Sequence, residues 1–321
     1  MTSTTRLRRL GRTDIEISPI GLGCMQMGGR GLTERLFPAM PQETATEIVR
    51  TALDGGITWL DTAEMYGQGQ SERALSTALH TLGVPPGSVR VATKWTPLGR
   101  TASSIGRTIG DRLAALQGYP IDLHQIHMPH ALSSLDAQVD AMADLADAGL
   151  VGSIGVSNFN ARQLERAALR LAARGHALAS NQVQISLLHR GIETRGVLKV
   201  AEKYGITLIG SSPLRQGLLT GRFHEDPGAL AALPPLRRLM LGGRRAVARS
   251  APLVHELSAV AAAHGVPPAA VALAWVITRY GDTVVCIPGA TSPRQAAANA
   301  EVMDLRLTEA ELAALDELSR G

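Results

Sequence analysis

Lysine is almost missing from this chain of 321 residues: it stands only at Lys94, Lys199 and Lys203, and arginine carries nearly all the remaining positive charge. Aromatic residues make up 3% of the sequence, and there are two cysteines, Cys24 and Cys286. Each scarcity excludes something. No basic run interleaves with aromatics, which argues against a nucleic-acid partner. The two cysteines have neither metal-type spacing nor a disulfide framework, so the chain reads as a reduced, cytoplasmic protein. Residues 1–6 lack a hydrophobic signal region. No apolar stretch is long and uncharged enough to span a bilayer, so no membrane partner is expected. The Gly-x-Gly-x-x-Gly fingerprint is also absent after the first strand pattern. There Gly21-Leu22-Gly23 runs on into Cys24-Met25-Gln26, so any dinucleotide would be held in another way.

What is present is a regular alternation. Hydrophobic residues form 45% of the chain, enough for a large core. Short apolar runs alternate with amphipathic stretches from end to end. Residues 7–10 and 15–17 flank Gly11-Arg12-Thr13-Asp14 and predict a hairpin. Eight strands are then expected, at 20–23, 57–60, 89–93, 123–126, 151–156, 179–184, 206–209 and 283–287. Helices fill the gaps at 43–53, 71–82, 103–116, 135–148, from 160, and near 195–204. A long Gly-, Pro- and Arg-rich interruption covers 211–249, of the kind that is usually functional or disordered. Helices at 252–264 and 268–279 follow it, then one opening near Pro293 and a last one at 308–318. Asn160 with Gln163, and Thr308 with Glu311, have the spacing of capping boxes. Eight strand–helix units in order predict a single (β/α)8 TIM barrel over 1–321, with an N-terminal β-hairpin and extra C-terminal helices.

Asp61, Lys94 and His127 are each 33 residues apart, and each ends an apolar run. That is the spacing of successive barrel units, and titratable residues at the carboxyl ends of barrel strands read as catalytic. Tyr66 follows five residues after Asp61. An acid, a phenol, an amine and an imidazole can therefore meet at one mouth. A cation beside Tyr66 should lower its pKa and suit it to donate a proton to a carbonyl oxygen, with His127 orienting that oxygen. Taken in twos, the same residues also fit a structural ion pair and a packed loop aromatic. His124, His127 and His130 do not suggest a metal site, because residues three apart on a strand point to opposite faces. Ser157-Asn158 before a helix serves either as a cap or as an amide-binding pair, and Asn181-Gln182 offers a second amide. Residues 289–295, from Gly289 through Thr291, Arg294 and Gln295, lead from the last strand into a helix and have the make-up of an anion site. Residues 217–222 are a second Gly-rich segment with a basic end.

These segments resemble the aldo-keto reductases, and the resemblance runs nearly the whole length. It is carried by Asp61-Thr62-Ala63-Glu64-Met65-Tyr66-Gly67, Thr93-Lys94, Gln125-Ile126-His127, Gly155-Val156-Ser157-Asn158, Asn181-Gln182 and Ile287-Pro288-Gly289-Ala290. The resemblance implies NADPH bound in extended form and reduction of a small-molecule aldehyde or ketone. It places a catalytic tetrad on Asp61, Tyr66, Lys94 and His127, with Tyr66 as general acid. Ser157, Asn158 and Gln182 would hold the nicotinamide carboxamide. Ser211, Pro213 and Leu214 match the segment that flanks the ring. Gly217, Leu219 and Arg222 match the loop over the pyrophosphate. Thr291, Gln295 and Asn299 match positions around the 2′-phosphate and adenine, with Arg294 a neighbouring candidate for the phosphate charge and Gly289 in the same cofactor-binding segment. The chain departs from the family at Ser211, where an aromatic often stacks on the nicotinamide, at Ala298, where many members have Glu, and at Ile185, which replaces a common tyrosine. The expected substrate rim comprises Met25 and the rest of 25–40, Met65, Trp95, the 97–101 loop, Phe159 and part of 211–249. Some relatives reduce pyridoxal and others serve secondary metabolism. Cofactor-sensing channel β-subunits resemble the family too, and a sensing subunit is the alternative to an enzyme. A monomer and a homo-oligomer are both compatible with the sequence.

Overall fold

The structure, a computed structural model, describes residues 6–29 and 39–320. The chain opens with a short antiparallel hairpin, β1 (Arg8–Arg9) and β2 (Glu16–Ile17). Eight parallel strands follow: β3 (Leu22–Gly23), β4 (Trp59–Asp61), β5 (Arg90–Trp95), β6 (Leu123–Ile126), β7 (Ile154–Ser157), β8 (Leu178–Gln184), β9 (Thr207–Ser211) and β10 (Val284–Cys286). Each pairs with the next in order. The ends meet as well: Gly21 N–H donates to Cys286 O at 2.8 Å, and Gly23 N–H to Pro288 O at 3.0 Å. The sheet is therefore closed, a (β/α)8 barrel.

The wall is made of α1 (Gln42–Asp54), α2 (Gln70–Thr81), α3 (Ser103–Ala115), α4 (Leu135–Asp147), α5 (Ala161–Ala172), α6 (Gly191–Thr194) and α7 (Val197–Tyr204). After β9 come α8 (Arg222–Glu225), α9 (Pro227–Ala231), α10 (Pro235–Leu241), α11 (Gly243–His264) and α12 (Pro268–Arg279). The chain ends with α13 (Pro293–Glu301) and α14 (Glu309–Leu318). Both expected capping boxes form, Asn160 with Gln163 at α5 and Thr308 with Glu311 at α14.

One expectation needs correcting. The interruption after β9 is not an open loop but a run of short helices, and α11 begins at Gly243, not Pro252, which lies inside it. The cause is tertiary. Leu218, Phe223, Ala229, Leu230 and Leu241 form a satellite core against which Ala246 and Val247 pack. That contact carries the helix nine residues upstream of a proline that, read alone, looks like a helix start.

Inside the barrel the two-residue strand period builds layers. Trp59, Ala92, Leu123, Ala179, Ile209 and Val285 form an apolar floor with Leu10 and Ile17 of the hairpin. Two residues further along three of these strands stand Asp61, Lys94 and Gln125, all buried. The polar layer has room because β7 contributes Gly155: a Cβ there would lie 2.4 Å from Ser180 Oγ and 2.9 Å from Gln125 Cγ. The barrel is thus apolar at one end and ionic at the other. Among the described residues, no single helix is long and apolar enough to cross a membrane.

Candidate active site

Asp61 is the last residue of β4, and Lys94 lies in β5 one residue before its end. The lysine side chain is 0% exposed and the aspartate 1%. Lys94 Nζ donates to Asp61 Oδ1 at 2.5 Å, to Thr62 O at 2.7 Å and to Tyr66 Oη at 3.3 Å. The other carboxylate oxygen, Asp61 Oδ2, accepts from Gln182 Nε2 at 2.9 Å and Gln125 Nε2 at 3.2 Å. The carboxylate therefore accepts from three side chains, and its charge is matched by an ammonium with all three hydrogens committed.

Tyr66 sits in the turn after β4. The turn is tight because Gly67 has φ +64°, and a Cβ there would run into the Gly28 carbonyl. His127 follows β6 directly, and its N–H donates to Trp95 O at 2.9 Å. The Tyr66 and His127 rings meet edge to face, 5.8 Å between centroids. All four expected residues thus share one end of the barrel. His124 does not: it is buried on the outward face of β6, where burial first and the Arg112 charge second lower its pKa.

The ionisation of Tyr66 runs opposite to the expected direction. Burial is the dominant influence and raises its pKa; Lys94 pulls it down, but Asp61 pushes it up again. Pairing with Asp61 cancels much of the lysine's field at the phenol. Tyr66 is therefore a held, protonated phenol rather than an incipient phenolate. Burial opposes the Lys94 charge, yet Asp61 and Tyr66 outweigh it and raise the ammonium pKa. His127 is driven down to about 3, by burial first and Lys94 second. It is a neutral imidazole, and its Nδ1 is buried without a partner.

The amide residues are linked to this centre. Ser157 Oγ donates to Gln182 O at 2.9 Å, and Asn158 Nδ2 reaches Ser157 Oγ at 3.0 Å and His127 O at 3.2 Å. Asn158 holds φ +61°, a left-handed conformation that asparagine tolerates. Gln182, expected to be free for a carboxamide, has its amide N–H on Asp61, so its first task is to hold the acid. Gln125, two residues before His127, was given no role from the sequence and does the same.

Beyond β9, Ser211 and Leu214 are half-buried and Pro213 is buried. Arg215, Gln216 and Gly217 all have positive φ, and Arg222 is exposed. Leu219 is buried in the core, so only its backbone faces the loop. On the far side, Thr291 N–H and Oγ1 both donate to Gln295 Oε1, at 2.8 and 3.0 Å, and Arg294 is exposed in the first turn of α13. Asn299, expected near an adenine, is buried, and its Nδ2 is taken by Gly289 O at 3.4 Å; it shapes the loop from behind.

Two expected rim residues are corrected. Trp95 and Phe159 are each 1% exposed. Trp95 Nε1 donates to Ser104 Oγ, and the Phe159 backbone exchanges hydrogen bonds with the Asn181 amide. An aromatic at a strand end is drawn into the layer between sheet and helices when a partner is there for its polar atoms. Met25 and Met65 remain half-buried at the mouth. Residues 30–38 of the expected rim lie outside the described residues. The apolar surface at this end comes instead from Leu98, 57% exposed, and Leu132, 72% exposed. Their loops are tied by Leu132 N–H donating to Arg100 O. Leu132 carried no signal beyond an apolar residue in a polar loop.

Against known proteins, the profile of the Aldo/keto reductase family matches residues 19–320. An uncharacterized oxidoreductase of Mycobacterium tuberculosis is 36% identical over 95% of this chain and 90% of its own length. A chloroplastic pyridoxal reductase of Arabidopsis thaliana is 31% identical, over 92% of this chain and 82% of that protein. Among solved structures, a glycerol dehydrogenase of Gluconobacter oxydans superposes with a TM-score of 0.82 at 26% identity, covering 98% of this chain and 95% of the other. An aldo-keto reductase of Klebsiella pneumoniae in complex with NADPH gives a TM-score of 0.76 at 27% identity over 98% and 95%. Profile, relatives and barrel geometry converge, and this chain belongs to the aldo/keto reductase family.

Proposed function

We propose that the protein reduces an aldehyde or ketone by hydride transfer from NADPH, with Tyr66 giving the proton to the developing alkoxide. The observation that carries this reading is the approach of Lys94 Nζ, buried with Asp61, to the hydroxyl of the half-buried Tyr66. A phenol kept protonated by burial, with its hydroxyl fixed by an ammonium, is a proton source that solvent does not titrate away. When proton transfer begins, the phenolate forms 3.3 Å from that ammonium, so charge appears where it is already compensated. His127, neutral, can donate one hydrogen bond to the same oxygen and orient it.

The nicotinamide cofactor supplies the hydride. Ser157 and Asn158, linked at the mouth, are placed to hold its carboxamide. The backbone of 215–219 and Arg222 would take the pyrophosphate. Thr291, Arg294 and Gln295 at the start of α13 would favour the 2′-phosphate of NADPH, because an exposed guanidinium stands in the first turn of that helix beside the Thr291 hydroxyl segment. The exposed leucines at the mouth favour a carbonyl compound with an apolar portion.

The test is NADPH oxidation measured over a panel of aldehydes, ketones, pyridoxal and keto sugars, followed by Tyr66→Phe. The variant should lose roughly 10²–10⁴ in turnover, while NADPH affinity stays unchanged. A variant that reduces a good substrate at the wild-type rate refutes the proton-donor assignment.

A further inference from the structure

Behind the strand that carries Lys94 lies a second set of buried charges. Along β5 the side chains alternate, so Lys94 faces the barrel interior and Thr93 faces helices α2 and α3. Thr93 Oγ1 donates to Glu72 Oε1 at 2.6 Å, and Glu72 is 0% exposed in the first turn of α2. Its other oxygen meets Arg112 Nε, from α3, at 2.8 Å. Arg112 Nη1 donates to Glu64 Oε2 at 2.5 Å. Glu64 Oε1 accepts from Thr96 N–H at 2.5 Å and from the Arg100 guanidinium. Glu64 stands two residues before Tyr66, and its own N–H donates to Lys94 O at 3.3 Å. A continuous bridge therefore runs from the strand of the ammonium to the turn of the phenol.

Such a bridge is a poor stabiliser. Buried ion pairs lose about as much in desolvation as they gain in attraction, and apolar residues of like size often do better. What the bridge gives is a fixed geometry between two chain segments. We propose that Glu64, Arg112 and Glu72 are positioning residues: their bridge locks the Tyr66 turn to the Lys94 strand and sets the phenol–ammonium distance used in proton donation. The proposal rests on the reading of Tyr66 as proton donor.

The bridge has a titratable member. Glu72 faces Arg112 from α3, Glu64 from the turn and Thr93 from β5; on β6, His124 lies near Arg112 and is held neutral, its pKa lowered to about 3. On its own helix, Arg73 turns outward to Gln68 O. Burial lifts Glu72 to about 7, against the pull of Arg112 and Thr93. Above neutrality Glu72 is charged; below it, Glu72 is neutral and its hold on Arg112 slackens. Stability moves the other way. A carboxyl whose folded pKa lies above its unfolded value favours the folded state at low pH, and that advantage is lost as pH rises toward about 7. Activity and stability therefore separate, which a merely structural role would not allow.

The experiment compares wild type, Glu72→Gln, Glu64→Gln and Arg112→Lys with the best carbonyl substrate found, under saturating NADPH, across the neutral range. Cofactor affinity and thermal midpoint are measured alongside. Wild-type kcat should show a step near neutrality with the lower plateau on the acid side. Glu72→Gln should lack the step and remain at the lower plateau, on the order of tenfold or more slower, as expected for a displaced reacting group. Its NADPH Kd should be unchanged and its midpoint above neutrality no lower than wild type. Arg112→Lys, with its charge but not its fork, should fall between. A Glu72→Gln protein with the wild-type rate and pH profile overturns the proposal, as does a rate loss in all three variants that only follows loss of folded protein. If Tyr66→Phe is fully active, the proton-donor reading and this proposal fall together. If Tyr66→Phe is slow and Glu72→Gln is not, this proposal alone is overturned.

Discussion

Between α4 and α5, Asp136 pairs with Arg166, Asp140 with Arg170, and Asp144 and Asp147 with Arg174, while His176 also meets Asp147. At the barrel mouth, Asp61 pairs with Lys94, and behind the Lys94 strand Glu64 and Glu72 share Arg112. Residue types and distances are alike; surroundings are not. In the first rung of the outer ladder the side chains are 58% and 34% exposed, whereas the Lys94 and Asp61 side chains are 0% and 1% exposed. Water screens the ladder, so each rung adds little. Around Lys94 and Asp61 burial removes that screening, and each charge depends on its named partner. The ladder decorates a helix pair; the inner array gathers Asp61, Thr62 and Tyr66 around one ammonium.

The comparison is sharpest when one partner is removed. Lys94→Met leaves Asp61 buried without its cation, which costs about 3–5 kcal/mol of stability, and turnover should fall at least as far as in Tyr66→Phe. Denaturant unfolding and NADPH oxidation measure both. Lys94→Arg keeps the charge but replaces a compact head by a planar fork; full activity there would break the distinction between charge and geometry.

Arg294 tests the converse, an exposed charge that gains weight only under a ligand. With a phosphate contact worth about 1.5–3 kcal/mol, Arg294→Ala should cost roughly tenfold or more of NADPH preference over NADH in kcat/KM. The rate at saturating cofactor should not change. Equal kcat/KM for the two cofactors in wild type would remove the 2′-phosphate from this loop.

The smallest effect is expected from Asp140→Asn. Arg170 holds the Asp140 carboxyl below its ordinary value, chiefly through the hydrogen bond. A lowered folded pKa means that stability is present above the unfolded value and is lost as pH falls through the folded one. The wild-type advantage over Asp140→Asn should thus be slight at neutral pH, vanish below about pH 4, and shrink in high salt. Activity should not move. A large loss of stability that persists in salt would show the ladder behaving like the mouth.

The barrel and the tetrad were legible because their signals are local. Strand–helix units recur at a fixed spacing, and Asp61, Lys94 and His127 end strands that the two-residue period identifies. The bridge through Glu64, Arg112 and Glu72 was not legible, since nothing in sequence ties α3 to the turn after β4. The direction of the Tyr66 shift was misjudged for the same reason: charge neighbours can be guessed from spacing, but desolvation depends on packing. Trp95 and Phe159 read as rim residues until the helices that cover them are in place. The helices after β9 were hidden because glycine and proline recur through 213–243 and interrupt the helical period of the apolar side chains that fold them, Leu218, Phe223 and Leu230 among them.

The burial of Lys94 has a practical corollary. Amine-selective reagents find few targets on this chain, because its other two lysines, Lys199 and Lys203, both lie on the solvent side of α7, and Lys203 is 60% exposed even in its pairing with Glu165. Apart from the amino terminus, coupling chemistry is therefore confined to one helix on the outside of the barrel. A dye or a resin attached there leaves the ionic mouth unmodified, and an immobilised layer would present its molecules in a common orientation.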